Sequence, residues 1–175
     1  MGRYAVTHLI ESLGNDKVTG RDLYLLGVPS LESLPERLTL ATEHCVCLLA
    51  SDASQLSTKL VFRAAEQLLA FGAVYICSWG PGCERVHDLF DEAVVGDGSG
   101  PSESPSIMTT WHETETLEEA LWFALDAAAP ADCFAKSCKS LVAISVASAE
   151  WSSIIRAAYT DPDALRRRVA SDDGA

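Results

Sequence analysis

Residues 141–147 read LVAISVA, and every position except Ser145 is apolar. Apolar side chains at consecutive positions indicate a strand that is covered on both faces of its sheet. Two further runs have the same character, CVCLLA at 45–50 and VYICS at 74–78, and a weaker one, IMTTW, lies at 107–111. We expect these four segments to be the main strands of a short, mostly parallel sheet.

A helical segment follows each of these strands. Residues 57–71 carry apolar side chains at helical spacing, and Pro81 suits the first turn of a second helix. The remaining helix starts are a capping box at Thr116 and Glu119, an N-cap at Ser148, and the pair Asp161-Pro162.

Alternating strands and helices predict an α/β fold. We expect one three-layer domain, Rossmann-like or flavodoxin-like, with four to five strands flanked by helices. The predicted parts of the chain are a single domain over 1–170, a less regular segment over 1–40 with an edge strand at 23–28 and a short helix at 30–37, a flexible loop at 96–106, and a disordered tail at 171–175.

The net charge of −12 is concentrated in one segment. Residues 83–132 contain twelve acidic side chains and one basic side chain, Arg85, so this segment alone carries −11. Nucleic-acid binding needs a basic surface, and we therefore expect no nucleic-acid partner. An acidic segment can face a basic protein, although it can also serve solubility alone.

The cysteines and the hydropathy pattern predict a cytoplasmic protein. None of the six cysteines forms a C-x-x-C pair, and Cys45, Cys47 and Cys77 lie in apolar runs where cysteine packs as a small hydrophobic residue. We expect reduced thiols. No apolar run approaches the ~18 residues that span a bilayer, and the first residues lack the apolar core of a secretory signal. We expect no membrane partner.

Ligands of parallel α/β sheets bind where the strands end, because loops and helix N-termini converge there. The sequence S-W-G-P-G-C-E follows the second strand and can offer N–H groups to an anion, but it matches neither the dinucleotide-binding nor the P-loop motif. We expect no bound cofactor. The candidate ligand-binding residues at the strand ends are Asp52, Ser78, Trp79, Gly80, Gly82 and Trp111.

Cys83 is the candidate nucleophile, because it lies near the predicted start of a helix, where the helix dipole stabilises a thiolate. His112 should end a nearby strand as the base, with Glu113 beside it as the orienting acid. The alternative is that Cys83 packs under a turn, and Glu84 next to it opposes thiolate formation.

A metal site is a weaker hypothesis for the same region. Cys83 and His87 are four residues apart on one helix, and His112 would be the third ligand. No second pair of ligands at short spacing accompanies them, so no metal is the expected outcome.

Ser78-Trp79 and Cys83-Glu84 resemble the serine–tryptophan–cysteine–glutamate region of TIR domains, which are small parallel α/β domains. In that family the tryptophan and the cysteine are adjacent, whereas Gly80-Pro81-Gly82 separates them here. The resemblance covers only these residues, and no functional role is transferred from it.

Two functions follow from these patterns. The first is a non-catalytic interaction, regulatory or immunity-type cytosolic domain, small and bacterial-like, which binds a basic protein partner through the acidic surface of residues 83–132. The alternative is a small enzyme, or a domain that binds a nucleotide or another ligand, with a Cys/His site after the second and third strands. The absence of a complete catalytic motif favours the first.

Overall fold

A single sheet forms the centre of the computed structural model, which describes residues 10–96 and 106–172. Its six strands are β1 (Glu11–Asn15), β2 (Asp22–Val28), β3 (His44–Ala50), β4 (Ala73–Trp79), β5 (Met108–His112) and β6 (Cys138–Val146). The spatial order is β1-β2-β6-β3-β4-β5. Strand β1 pairs antiparallel with β2, and all other pairs are parallel.

Five α-helices are found in the described residues: α1 (Thr58–Ala70), α2 (Cys83–Val95), α3 (Leu117–Trp122), α4 (Ala149–Thr160) and α5 (Pro162–Asp172). Helix α3 continues directly into a π-helix at Phe123–Ala127. Short 3₁₀ turns lie at Leu31–Ser33 and Asp132–Phe134.

The helices cover both faces of the sheet, because alternate residues of each central strand point to opposite sides. In β3, Val46 and Leu48 pack with the residues of α3, α4 and α5. Their neighbours Cys47 and Leu49 pack with α1 and α2 on the other side. The molecule is therefore a three-layer α/β arrangement, with an α1–α2 face and an α3–α5 face.

The helix starts confirm the capping predictions. Ser148 Oγ accepts a hydrogen bond from the backbone N–H of Trp151 at 3.1 Å, as predicted. Ser57, which the sequence did not single out as a cap, accepts one from the backbone N–H of Leu60 at 3.2 Å. Thr116 and Glu119 form both halves of the capping box. Each cap satisfies N–H groups that have no partner inside the helix.

The N-terminal part of the fold differs from the prediction, and the sheet has six strands rather than four to five. Residues 23–28 do form a strand, β2, but it lies between β1 and β6 and not at an edge. Strand β1 was missed because its sequence, ESLGN, is mostly polar and contains turn-forming residues. The helix expected at 30–37 is only the turn at Leu31–Ser33.

Two other predicted segments are only partly within the described residues. Ser171 and Asp172, assigned to a disordered tail, belong to α5, and residues 173–175 lie outside the described part. Of the predicted loop at 96–106, residues 97–105 also lie outside the described part.

All six cysteines are free, as the sequence predicts. No helix of the described residues is long and apolar enough to cross a membrane.

Arg166 links the last helix to two distant parts of the chain. Its guanidinium lies 2.9 Å from the buried carboxylate of Asp16 and 2.8 Å from that of Asp126. Burial raises the pKa of Asp16, but hydrogen bonds from Arg166 and Thr19 outweigh it and hold this pKa well below its usual range. Asp16 is therefore ionised, and its charge depends on Arg166.

Replacing Arg166 with Gln should lower the free energy of unfolding at pH 7 by about 3–5 kcal/mol, because Asp16 would remain buried without its counter-charge. The contribution of Asp16 is present above its unfolded pKa and disappears as the pH falls through its folded pKa, so the variant should lose less stability on acidification. Urea unfolding at several pH values measures both effects.

The matched control is Arg168→Gln, which breaks the half-exposed pair with Glu118. An exposed pair of this kind contributes about 0–1 kcal/mol. Equal losses in the two variants would contradict the role assigned to Arg166.

Candidate functional site

The glycine turn after β4 is packed against the loop that follows β3. Gly80 has φ +107°, and a Cβ built on it would lie 2.4 Å from the carbonyl oxygen of Ser51. The N–H of Ser51 donates to Trp79 O at 3.1 Å, and that of Ala53 donates to Pro81 O at 2.8 Å. The backbones of the two loops are thus in close contact at this turn, and the glycines are needed because a side chain would prevent this approach.

The remaining candidate ligand-binding residues do not converge on one pocket. Asp52 is exposed and accepts a hydrogen bond from the backbone N–H of Ser54 at 3.0 Å, as in an Asx-turn. Gly82 is the N-cap of α2 in the left-handed conformation. Ser78 is 2% exposed, and its hydroxyl finds no hydrogen-bond partner within the described part of the chain.

Trp79 and Trp111 lie on opposite faces of the sheet, so they cannot form the two walls of one pocket. Trp79 points to the α3–α5 face, where its Nε1 donates to Glu115 O at 2.9 Å. Its ring packs edge-on against that of Trp151, with the ring centroids 5.3 Å apart. Trp111 points to the α1–α2 face, where the centroid of its ring lies 4.6 Å from that of the His87 ring. Adjacent strands in register place the pair Ser78 and Trp111 on one face.

Cys83 is the first residue of α2, close to the predicted position, but its side chain is only 2% exposed. Burial raises the pKa of this thiol and Glu113 raises it further, which outweighs the backbone N–H groups of His112 and Glu84 that favour the thiolate. The thiol is therefore protonated near neutral pH and shielded from solvent, which does not favour a nucleophile.

His112 ends β5 as predicted, and its ring is buried on the α3–α5 face. Its Nδ1 lies 3.4 Å from a carboxylate oxygen of Glu115, and its Nε2 lies 3.1 Å from Thr110 Oγ1. The ring packs on Phe123 at 4.6 Å. The acid beside the imidazole is thus Glu115 and not Glu113, which is exposed.

Thr110 and Glu115 were missed as partners of His112, although the sequence carries a signal for each. Thr110 precedes His112 by two residues on a strand, and side chains two apart share a face. Glu115 follows by three residues at the turn before the α3 cap. Burial lowers the pKa of His112, while Glu115 acts in the opposite direction, so the ring is neutral at pH 7.

The hypothetical metal ligands are not brought together. His87 stacks on Trp111 on the α1–α2 face, whereas the His112 ring packs on Phe123 on the other face. Within residues 10–96 and 106–172, no three His, Cys, Asp or Glu side chains are placed to hold a metal ion.

A small cavity of about 180 Å³ lies beside His112. It is lined by His112, Glu115, Glu119, Trp122, Phe123 and Val169. The switch from α3 to the π-helix occurs between Trp122 and Phe123, and π-helical turns are frequent at functional sites. The lining thus combines two carboxylates and two aromatic rings with a neutral imidazole, and such groups can interact with a cation.

The acidic segment is divided by the fold into neutralised and unneutralised parts. Glu118 pairs with Arg168 at 2.7 Å, Asp126 pairs with Arg166, and Glu119 is used in the α3 cap. On α2, no lysine or arginine of the described residues pairs with the acidic stripe, which we define as Glu84, Asp88, Asp91 and Glu92.

Helix α2, which carries the acidic stripe, packs against β5, the strand at one edge of the sheet. Asp91 accepts a hydrogen bond from the hydroxyl of Thr109 and lies 3.6 Å from the Nε2 of His87. On β5 itself, Met108 is 43% exposed and Trp111 is 44% exposed. Exposed apolar side chains beside unneutralised carboxylates make this the most distinctive surface of the described residues.

Iodoacetamide should label the exposed Cys133 first at neutral pH and Cys83 slowly, because Cys83 is buried with a raised pKa. Peptide mapping by mass spectrometry after timed labelling measures the two rates. Labelling of Cys83 as fast as that of Cys133 would restore the nucleophile hypothesis.

The imidazole of His112 should titrate below the ordinary histidine pKa, because its burial disfavours the charged form. Glu115→Gln should lower this pKa further, and Glu113→Gln, the matched control, should leave it unchanged. Because the unfolded chain takes up this proton first, His112 reduces stability as the pH falls below its unfolded pKa. NMR titration of the ring protons measures the pKa, and an equal response to both variants would contradict the assignment of Glu115.

Comparison with known proteins identifies a family. Residues 23–162 match the family described as Domain of unknown function (DUF7684). No curated protein and no solved structure matches the chain. The match runs from β2 to the first residue of α5, so it includes β5, the acidic stripe and most of the residues around the cavity. The protein belongs to the DUF7684 family.

Proposed function

We propose that this protein is a non-catalytic interaction domain that binds a basic protein partner through the acidic stripe and the adjoining strand β5. The observation that carries the proposal is the division of the acidic segment. The carboxylates of Glu118 and Asp126 already have arginine partners on α5. Those of the stripe have no arginine or lysine partner among the described residues, and all four side chains are exposed.

The spacing within the stripe supports a single contact surface. Glu84, Asp88 and Asp91 are four and three residues apart, so they lie along one side of α2. Arg85 does not neutralise them, because its guanidinium turns away and donates to Leu56 O at 2.9 Å and to Thr58 Oγ1 at 3.0 Å. A basic partner would be attracted by this uncompensated charge and oriented by it.

The enzyme alternative has less support. Its three proposed residues do not form a nucleophile–base–acid arrangement. Cys83 is buried and the pKa of its thiol is raised. The His112 ring contacts Thr110 and Glu115 instead of Glu113, which is exposed. The glycine turn offers a nucleotide little room, because Ser51 and Ala53 pack against it.

We also infer a Rossmann-like, flavodoxin-like relationship for the fold and a cytoplasmic location. Five parallel strands with helices on both faces support the first. The antiparallel β1 and the return of β6 between β2 and β3 are departures from the usual flavodoxin-like order. Six free cysteines support a reducing compartment such as the cytoplasm.

Replacing Glu84, Asp88 and Glu92 together with lysine should weaken the binding of a fluorescent oligolysine peptide at low salt by at least about tenfold, or about 1.4 kcal/mol. The reason is that attraction becomes repulsion at the contact surface. Fluorescence anisotropy measures the affinity. Added salt should reduce the affinity of the wild type, because salt screens exposed charges.

The matched control replaces the exposed Glu32, Glu36 and Glu43 with lysine, which changes the net charge equally at a different site. This control should bind nearly as well as the wild type. If both triple variants lose the same affinity, only net charge acts and the proposed surface is wrong.

A further inference from the structure

The two edges of the sheet differ in how they are protected. Strand β1, at one edge, contains an irregularity between Ser12 and Gly14, and its Glu11 is held by Arg156 of α4 at 2.9 Å. Bulges and charged side chains are the usual means by which edge strands avoid pairing with other chains. The β1 edge therefore carries two of these protective features.

Strand β5, at the other edge, carries neither of them. Its sequence, MTTWH, has no proline, lysine, arginine or carboxylate, and its register with β4 is regular from Met108 to His112. Within the described residues no strand pairs with its outer side. Two of the four exposed large hydrophobic side chains of these residues, Met108 and Trp111, belong to this strand.

An added strand would send alternate side chains to the two faces of the sheet. On the α1–α2 face it would meet Trp111 and, beside it, Asp91 of the acidic stripe. On the α3–α5 face, the buried His112 borders the cavity together with the partly exposed carboxylate of Glu115. Carboxylates are therefore present on both sides of β5.

We propose that β5 accepts an extended, basic segment of the partner as an additional strand of the sheet. Main-chain hydrogen bonds to β5 would supply affinity, and the carboxylates on both faces would select lysine or arginine side chains. This inference rests on the proposed function and adds the conformation of the partner to it.

Charge argues against a second copy of this chain as the occupant. Each copy carries −12, and pairing of two β5 edges would bring two acidic stripes close together. Like charges held in this way oppose association. A basic segment, by contrast, removes the repulsion among the stripe carboxylates when it binds.

The test compares an oligolysine peptide with the same peptide N-methylated at every backbone nitrogen, which keeps the charge but cannot donate main-chain hydrogen bonds. We expect the methylated peptide to bind at least about tenfold more weakly, because main-chain hydrogen bonds supply much of the affinity when a peptide adds to a sheet as a strand. Hydrogen exchange followed by NMR should show that the amides of β5 that point away from β4, which are alternate residues of the strand, gain protection only with the unmodified peptide.

The outcomes separate the two proposals. Equal binding of both peptides, together with weakening by the lysine variants of the stripe, would overturn strand addition and leave the proposed function in place. Equal loss in the stripe variant and in its control would overturn the proposed function itself. A dimeric mass, with the outward-pointing amides of β5 already protected before peptide is added, would identify a second copy as the occupant and overturn the inference.

Discussion

Burial of both faces of the central strands is the constraint on which the rest of the structure depends. Strands β3, β4 and β6 are apolar at consecutive positions, so each needs helices above and below the sheet. The helices α1 and α2 meet this need on one face, and α3, α4 and α5 meet it on the other. Within the sheet, the acidic and basic side chains are thereby restricted to positions at or next to a strand end, namely Glu11, Asp22 and Lys139.

The two-residue period of the strands then decides which of these side chains can act together. Trp111 and His112 are neighbours in the chain, but one lies against His87 and the other against Phe123. A cluster that spans both, such as the metal site considered above, would have to pass through the sheet. The same period brings Thr110 and His112 together, and the turn before α3 adds Glu115.

Electrostatic pairing over long chain separations shapes the surface in a similar way. Arg166 and Arg168 on α5 neutralise carboxylates that precede them by tens of residues. The acidic segment, which is uniform as a sequence, becomes a neutralised region near α5 and an unneutralised stripe on α2. The stripe lies beside the less protected edge of the sheet, and the two features together define the surface to which we assign binding.

The sequence by itself determined the elements whose causes are local. The buried strands, the cap at Ser148, the capping box at Thr116 and the position of Cys83 near a helix start all follow from residues within one turn or one strand. It also determined the excess of acid in residues 83–132 and the position of His112 at a strand end.

The tertiary structure alone decided which of these residues meet. Strand β1 has too few apolar residues to be recognised and exists because β2 offers it an edge. The burial of Cys83, the pairing of His112 with Glu115, and the selection of Glu84, Asp88, Asp91 and Glu92 as unneutralised charges depend on the strand order and on where α5 packs. These contacts join residues from different elements, and no local pattern encodes the distance between them.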